Sequence, residues 1–293
     1  MAPRISLQEL GFLSSLALIA CLLQVVEGTE RPIIGILAHE IDNKPPNSYI
    51  AASYVKAVEA SGARVVPILL SRDEQYYMKL IDSLNGIVLP GGDALATTAG
   101  GYFEAARYIF DYSRKLHAQG DHFPLLGVCL GMEALAVLSN EDHFNNETLD
   151  GCSGLQGIDL PLVFRADFRD SSLYKDLPAN VEEILRTQNV TANYHSWCVR
   201  PDKNLTLPWH FLSENIDGDG KGFISSMELE GPIAGIQFHP EKNAFEWQQK
   251  HASFEDGLIA ARHFYDWLVI EARKNNHSFK DSKEEDAYLI YNY

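Results

Sequence analysis

The sequence predicts an α/β fold with a mostly parallel central sheet flanked by helices. Short apolar runs alternate with amphipathic stretches from Arg31 onward, which is the pattern of successive βα units. Residues 124–128 are apolar throughout, as expected for a strand that is buried on both faces. The chain has 293 residues, of which 46% are hydrophobic, so it can bury the core of one large domain.

Each predicted strand is an apolar run, and each predicted helix carries apolar residues at three- and four-residue spacing. The first helix stops at Ser61-Gly62 and the third strand runs into Gly91-Gly92. Residues 150–235 are less regular, so we expect them to form an antiparallel-leaning insertion. The predicted elements are, in chain order, strand 33–39, helix 49–60, strand 63–70, helix 73–83, strand 86–90, helix 103–118, strand 124–128, helix 130–138, strands 158–164, 210–214, 222–227 and 233–239, and helix 254–274.

The charge balance is acidic, with 24 Lys and Arg against 40 Asp and Glu and a formal net charge of -16. Such a chain has no basic stripe that could neutralise phosphate groups. We therefore expect neither nucleic acid nor an anionic membrane surface as a partner.

Residues 1–28 have the pattern of a secretory signal peptide. Arg4 lies in the polar start, an apolar run follows at 11–26, and Val26-Glu27-Gly28 has small or apolar residues at the cleavage-type positions before the expected cleavage after Gly28. The alternative, a membrane anchor, needs roughly 20 apolar residues, and this run is shorter. We expect residues 29–293 to form a single domain in the secretory pathway, with the lysosome or vacuole and the extracellular space as destinations. The sequence ends at Tyr293 without an ER-retention tetrapeptide, which favours onward transport.

Glycosylation sequons and cysteines are consistent with this route. Four N-x-[ST] triplets predict glycosylated surface loops; they begin at Asn146, Asn189, Asn204 and Asn276. Cys21 would leave with the signal, so Cys129, Cys152 and Cys198 remain. An odd number in an oxidising compartment means that at least one thiol is free or pairs between chains. The sequence leaves open whether Cys152 and Cys198 are bridged.

A tight turn between a strand and a helix is predicted at Gly127-Val128-Cys129-Leu130-Gly131. The flanking glycines leave room for a strained turn that presents Cys129 above the sheet. At the start of a helix, the dipole and free N–H groups favour the thiolate, which predicts a nucleophile. The alternative is a small buried residue.

Two other strand ends supply groups that a thiol nucleophile needs. Gly92, in the turn after the third strand, can aim its N–H at a developing oxyanion, with the Leu130 N–H as second donor. His239 can act as general base, and Glu241, two residues later, can orient its imidazole. The alternatives are a plain turn and a core histidine. The pattern predicts a Cys-His-Glu triad that needs no metal or cofactor.

One segment is similar to the start of a calcium-binding EF-hand loop, at 215–221. The twelfth position holds Ser226 instead of a bidentate glutamate, and both flanks have strand character. We therefore predict a hairpin turn there and no metal site.

The motifs at 124–133 and 239–241 resemble those of the class I glutamine amidotransferase-like fold, whose triad is Cys, His and Glu. Further segments resemble the gamma-glutamyl hydrolase family, whose members are lysosomal and secreted hydrolases of folylpolyglutamates. This resemblance runs over essentially the whole chain after residue 28; the segments that carry it are 49–56, 192–197, 239–242 and 271–277.

The resemblance implies hydrolysis of γ-glutamyl amide bonds in folate and antifolate polyglutamates, with release of glutamate or short polyglutamates. Cys129 matches the nucleophile, His239 the general acid/base and Glu241 the supporting position. His195 matches a family histidine linked to the active site and is expected to contact substrate; the alternative is a structural histidine. The resemblance also suggests a homodimer. It leaves open whether cleavage begins inside the polyglutamate chain or at its end.

Two other functions are compatible with these residues: a secreted glutaminase-type amidohydrolase and a catalytically inactive binding protein on the same fold. The presence of Cys129, His239 and Glu241 argues against the inactive protein.

Because a polyglutamate tail is anionic and this chain is acidic, we also expect a local basic patch. Arg165, Arg169, Lys242 and protonated histidines are the candidates for it.

Overall fold

A computed structural model of the protein describes residues 28–140, 148–247 and 254–293. The strands are β1 (Ile33–Leu37), β2 (His39–Ile41), β3 (Lys44–Tyr49), β4 (Arg64–Ile68), β5 (Gly86–Leu89), β6 (Leu125–Val128), β7 (Asp150–Gly151), β8 (Gln156–Leu160), β9 (Val163–Phe164), β10 (Thr191–Tyr194), β11 (Trp197–Cys198), β12 (His210–Ile216), β13 (Gly222–Leu229) and β14 (Ile233–Ile236). The helices are α1 (Ala52–Ala60), α2 (Glu74–Ile81), α3 (Tyr102–Ala118), α4 (Leu130–Leu138), α5 (Ala179–Thr187), α6 (Pro240–Phe245), α7 (Glu255–Ala272) and α8 (Ser282–Tyr288).

The central sheet has a parallel half and an antiparallel half. Its strand order is β4-β1-β5-β6-β14-β13-β12-β9. The pairs from β4 to β14 are parallel, whereas β14-β13, β13-β12 and β12-β9 are antiparallel. Two further antiparallel pairs, β10-β8 and β11-β7, lie in the same part of the sequence. The predicted fold class, a mostly parallel sheet with an antiparallel-leaning insertion, is confirmed.

Alternating residues of the parallel strands face two separate apolar layers. Ile33 and Leu37 belong to the layer that contains residues of α2, α3 and α4. Ile34 and Ile36 belong to the layer that contains residues of α1, α5 and α7. This alternation follows from the two-residue period of a strand, and it explains why the central strands are apolar throughout.

The observed helices and strands differ from the predicted ones at short segments and at a proline. The predicted helix 49–60 begins at Ala52, because Tyr49 ends β3, which pairs with β2. The single strand expected at 158–164 is two strands, β8 and β9, separated at Pro161, which has no N–H for a ladder. The β2-β3 hairpin and α5, α6 and α8 were not predicted.

Several expectations concern residues beyond the described ranges. Residues 1–27 of the predicted signal peptide and the sequon asparagine Asn146 lie outside the described residues. Within ranges 28–140, 148–247 and 254–293, no helix has the length and apolar character needed to cross a membrane.

The structure answers the open question about the cysteines that it describes. Cys152 and Cys198 form a disulfide, with their Cα atoms 5.9 Å apart, next to the β7-β11 pair. Cys129 is a buried free thiol. The bridge joins two segments of the insertion, one of which carries His195 and Trp197.

Replacing both Cys152 and Cys198 by serine is expected to lower the free energy of unfolding by about 4 kcal/mol. The bridge spans a sequence separation of 46 residues, and cross-linking such a loop removes conformational entropy from the unfolded chain. Urea unfolding with and without reductant measures the effect. Reductant should destabilise the wild-type protein and leave the double-serine variant unchanged. Equal stability of the two proteins under oxidising conditions would contradict this expectation.

Candidate active site

Cys129 lies in a strained turn between β6 and α4. Its backbone angles are φ 51° and ψ -107°, in the region that favours glycine. The flanking glycines permit this turn, because a Cβ on Gly131 would come within 2.0 Å of the Leu89 carbonyl oxygen and one on Gly127 within 2.7 Å of Gly131. Gly127 and Gly131 are therefore required at these positions, because a side chain at either one would collide with neighbouring backbone atoms.

The register of the parallel strands brings the three predicted strand-end motifs together. Leu89 of β5 and Gly235 of β14 are both paired with Gly127 of β6. The residues that follow these strands therefore meet at one edge of the sheet, where parallel strands present their carboxyl ends. The Cys129 N–H also donates to the Ile236 carbonyl at 2.8 Å, which ties the turn to β14.

His239 and Glu241 form a buried hydrogen-bonded pair beside Cys129. Nδ1 of His239 lies 2.7 Å from Oε1 of Glu241. A Cβ on Gly91 would come within 2.5 Å of His239 Cε1 and 3.1 Å of Cys129 Cβ, so both side chains pack against Gly91. Because Glu241 occupies Nδ1, Nε2 is the nitrogen left to exchange a proton with the thiol. Burial opposes the ionisation of Glu241, but the charge and hydrogen bond of His239 bring its pKa below the usual value.

Two buried tyrosines, which sequence reasoning missed, hold this pair in place. The Tyr54 hydroxyl lies 3.2 Å from Nδ1 of His239 and accepts from the Gly91 N–H at 2.8 Å. The Tyr265 hydroxyl donates to Oε2 of Glu241 at 3.3 Å. Tyr54 belongs to α1 and Tyr265 to α7, so the pair is supported by two helices on one face of the sheet.

The buried environment of Cys129 favours the protonated form of its thiol. Burial raises its pKa well above the usual value, and the charge of Glu133 adds to this effect. The Leu130 N–H and Lys242 act in the opposite direction but are outweighed. The helix start favours the thiolate, as expected, but burial and the Glu133 charge outweigh it in the unliganded protein, so the net pKa shift is opposite to the expected one. Within the described residues, the Sγ hydrogen bond is to the Tyr194 carbonyl at 4.0 Å, and none joins Sγ to His239.

The two predicted oxyanion donors, the Leu130 and Gly92 N–H groups, differ in how they are placed around Cys129. The Leu130 N–H favours the ionised sulfur of Cys129, since it lowers the pKa of that thiol. Gly92 lines the same cavity as Cys129. The neighbouring Gly91 N–H is already bonded to Tyr54, whereas no described residue accepts from the Gly92 N–H. A Cβ on Gly92 would come within 2.2 Å of the His39 ring, so that position requires glycine.

A cavity of about 580 Å³ opens at Cys129. It is large enough for part of a small-molecule substrate. Its walls are the loop after β5, the first turns of α4 and the segment that joins β10 to β11. The lining residues are Gly92, Asp93, Ala94, Leu95, Ala96, Phe103, Cys129, Leu130, Glu133, Val137, Leu149, Gln156, Tyr194, His195, Ser196 and Trp197.

His195 lines this cavity but is largely buried and hydrogen-bonded. Its Nδ1 lies 2.8 Å from the Trp197 carbonyl and its Nε2 lies 3.2 Å from Oδ1 of Asn193. Burial lowers its pKa to about 4, so the ring is neutral above that pH. A neutral, fixed imidazole is compatible with substrate contact, which stays a prediction, but it does not provide the positive charge expected of protonated histidines.

The expected basic patch is absent from the described lining of the cavity, which contains no lysine or arginine. Arg165 pairs with Glu214 and Arg169 with Glu182. Lys242 pairs with Glu246 at 2.7 Å and lies over the Tyr194 ring. This expectation was wrong for Arg165 and Arg169, because both guanidinium groups have local carboxylate partners at positions outside the cavity lining.

Glu133 is a third site residue that sequence reasoning missed. It lies one helical turn after Cys129, which is the signal that could have found it. Its side chain is buried, and its Oε1 accepts from Nε2 of Gln237 at 2.9 Å. Burial raises its pKa from 4.5 to about 7, the Gln237 hydrogen bond opposes the rise and the Asp93 charge adds to it.

Glu133→Gln is expected to be about 3 kcal/mol more stable than the wild-type protein near pH 8. Because the pKa of Glu133 is about 7 in the folded protein and 4.5 in the unfolded chain, the folded state binds this proton more tightly. Wild-type stability should therefore fall as pH rises from about 4.5 to 7. Unfolding free energies measured between pH 4 and 8 test this, with pH 4 as the internal control because both side chains are neutral there. A difference in unfolding free energy between Glu133→Gln and the wild-type protein that does not change with pH would contradict the expectation.

The remaining sequence predictions concern the surface. Asn189, Asn204 and Asn276 are exposed and lie outside helices and strands, as glycosylation requires; their occupancy stays a prediction. The segment at 215–221 forms the predicted turn of the β12-β13 hairpin. Oδ1 of Asp217 accepts there from the Asp219 and Lys221 N–H groups.

Comparisons with known proteins extend this picture. The protein-family model described as Peptidase C26 matches residues 32–144. Gamma-glutamyl hydrolase from Mus musculus is 39% identical over 277 residues, covering 91% of this chain and 85% of the relative. The Homo sapiens gamma-glutamyl hydrolase is 36% identical, covering 90% and 85%. Gamma-glutamyl hydrolase 1 from Arabidopsis thaliana is 33% identical, covering 90% and 78%.

A solved structure shares the fold at low sequence identity. It is that of a putative GMP synthase subunit from Thermoplasma acidophilum, with a TM-score of 0.51 and 15% identity. The match covers 83% of this chain and 96% of the other protein. The likeness supports the predicted glutamine amidotransferase-like architecture.

Proposed function

Because the chain belongs to the gamma-glutamyl hydrolase family, we propose that it hydrolyses the γ-glutamyl amide bonds of folate and antifolate polyglutamates. The products are glutamate or short polyglutamates and a folate with a shorter tail. The observation that carries the proposal is the buried His239–Glu241 pair packed beside the free thiol of Cys129, which lines a cavity of about 580 Å³. This geometry suits acyl transfer through a thioester.

In the first half of the reaction, Sγ of Cys129 attacks the γ-carbonyl carbon and its proton moves to Nε2 of His239. Because the thiol is protonated in the unliganded protein, this transfer accompanies the attack instead of preceding it. The oxyanion is held by the Gly92 and Leu130 N–H groups. The C–N bond then breaks, and His239 returns the proton to the leaving amine.

In the second half, water replaces the amine. His239 takes a proton from the water as its oxygen attacks the thioester carbonyl carbon. The C–S bond breaks, Cys129 regains its proton and the γ-carboxyl product leaves. Glu241 stabilises the imidazolium in both halves through its bond to Nδ1. The Tyr54 hydroxyl, 3.2 Å from the same nitrogen, also restrains the ring.

The same proposal includes a route through the secretory pathway to the lysosome or vacuole and the exterior. The predicted signal peptide, the three exposed sequon asparagines and the Cys152–Cys198 disulfide support it. The single domain at 29–293 and the homodimer stay predictions, and the position of cleavage along the tail stays open.

Product analysis tests the function. The purified protein is incubated at acidic pH with a folate that carries several γ-linked glutamates, and free glutamine is offered in parallel. We expect tail shortening, with product lengths that reveal the position of cleavage. Ammonia from glutamine without tail shortening would favour the glutaminase. Folate binding without turnover of either compound would favour the inactive binding protein.

A further inference from the structure

The described residues that line the cavity include acidic side chains, although the substrate is itself anionic. Asp93 and Glu133 are its carboxylate-bearing residues, and it has no lysine or arginine. Each γ-linked glutamate carries a free α-carboxylate. An ionised carboxylate on the protein would repel that group unless a proton lies between them. The charge of the cavity therefore makes the protonation state of its carboxyl groups part of substrate recognition.

Glu133 is placed to meet the α-carboxylate of the reacting residue. It lies four positions after Cys129, which is a rise of about 6 Å along a helix. In a γ-glutamyl group, four carbon–carbon bonds separate the γ-carbonyl carbon from the α-carboxyl carbon, a comparable distance. A substrate with its γ-carbonyl at Cys129 thus has its α-carboxylate within reach of Glu133.

The hydrogen bonding of Glu133 leaves one oxygen for a ligand. Oε1 accepts from Gln237, whereas no described residue bonds Oε2. The residue is 6% exposed and still lines the cavity. Oε2 is therefore open at the cavity, where a ligand or water can complete its bonding.

Building on the proposed function, we propose that Glu133 is the specificity-determining residue for the γ-glutamyl group. Its neutral carboxyl donates a hydrogen bond to the α-carboxylate of the residue that is attacked, and its ionised form repels that carboxylate. The protein therefore recognises polyglutamate tails when the Glu133 carboxyl is protonated, which is the case at acidic pH.

The surroundings of Glu133 support this assignment. Burial is the main cause that raises its pKa to about 7, so the neutral form prevails at acidic pH. The ionisable groups that face it are Cys129 on α4, Tyr102 on α3, Asp93 on the loop after β5 and His195 across the cavity. Burial raises the pKa values of Cys129 and Tyr102 and lowers that of His195 to about 4. Asp93 is the neighbouring carboxyl group whose charge adds to the rise in the Glu133 pKa.

The test compares two substrates across pH 5 to 9. One is the shortest γ-glutamyl substrate that the wild-type protein cleaves. The other is identical except that a carboxamide replaces the α-carboxyl of the residue whose γ-carbonyl is attacked. The readout is the ratio of kcat/KM for the carboxylate to kcat/KM for the carboxamide. Ionisations of Cys129 and His239 cancel in this ratio, because both substrates need the same nucleophile and base.

For the wild-type protein, the ratio should fall by about tenfold per pH unit above 7, as the neutral fraction of Glu133 falls. Glu133→Gln keeps a neutral donor, so its ratio should stay high at every pH. Glu133→Ala has no donor, so its ratio should be low and flat. In Asp93→Asn, the pH dependence should persist with a midpoint at lower pH, because the charge that raises the Glu133 pKa is gone.

Failure of the inference differs from failure of the proposed function. No cleavage of any γ-glutamyl compound by the wild-type protein would reject the function itself. Cleavage with a wild-type ratio that does not change with pH, or with the same pH dependence in Glu133→Gln, would reject the role of Glu133. The wild-type measurement needs no substitution, so a variant that folds poorly does not prevent a decision.

Discussion

Replacing Cys129 by alanine is expected to lower kcat for γ-glutamyl hydrolysis by about 10⁴-fold or more, with the fold retained. The described residues contain one free thiol, at the strained turn, and no other described group of the cavity combines a nucleophilic sulfur with the neighbouring His239. Alanine keeps the Cβ atom and places the same steric requirement on the turn as cysteine. The expected loss of kcat therefore comes from removal of the thiol and not from a change in the fold. Steady-state kinetics and equilibrium binding of an uncleaved folate polyglutamate separate lost turnover from lost binding.

The Cys152→Ser/Cys198→Ser variant is the matched control for this loss. It changes two sulfurs and lowers stability, but it keeps the Cys129 thiol and should retain turnover at a temperature where it is folded. A Cys129→Ala protein that shortens tails at a rate within tenfold of the wild-type rate would show that another group is the nucleophile.

Replacing His239 by asparagine is expected to lower kcat by a similar factor of about 10⁴. Cys129 carries a proton in the unliganded protein, because burial and nearby carboxylates raise its pKa. Without His239 there is no partner to accept that proton during attack or to protonate the leaving amine. Glu241→Gln should have a smaller effect, because the imidazole remains and loses only the charge that orients and stabilises it.

A double variant distinguishes a catalytic unit from two independent effects. If Cys129 and His239 act together, Cys129→Ala/His239→Asn should be about as slow as the slower single variant. Losses that multiply would mean that His239 contributes to a step in which Cys129 takes no part. Melting temperatures of all three proteins verify that they are compared in the folded state.

The parallel half of the fold could be predicted because its strands are buried on both faces. Continuous apolar runs such as 124–128 have no other stable place in an α/β protein. The insertion was harder to predict, since β7, β9 and β11 are two-residue strands whose existence depends on their pairing partners. The break at Pro161 shows how one residue without an N–H divides an apolar run that otherwise appears continuous.

The triad residues could be identified from the sequence because each follows a parallel strand, and parallel strands end at a common edge. The supporting groups could not. Tyr54 and Tyr265 act through contacts with residues about 185 and 24 positions away in the chain, which no local pattern encodes. The direction expected for the Cys129 pKa was wrong because the local sequence does not show how deeply the thiol is buried. The local helix start favours the thiolate, but burial and the Glu133 charge outweigh it.

The central claim is that a γ-glutamyl group is transferred to Cys129. Rapid acid quenching of the protein during turnover, followed by intact-protein and peptide mass spectrometry, tests it most directly. The account predicts a thioester adduct of the γ-glutamyl fragment on the peptide that contains Cys129, absent from Cys129→Ala. Substrate cleavage at the wild-type rate by Cys129→Ala, or an adduct on a different residue, would contradict it.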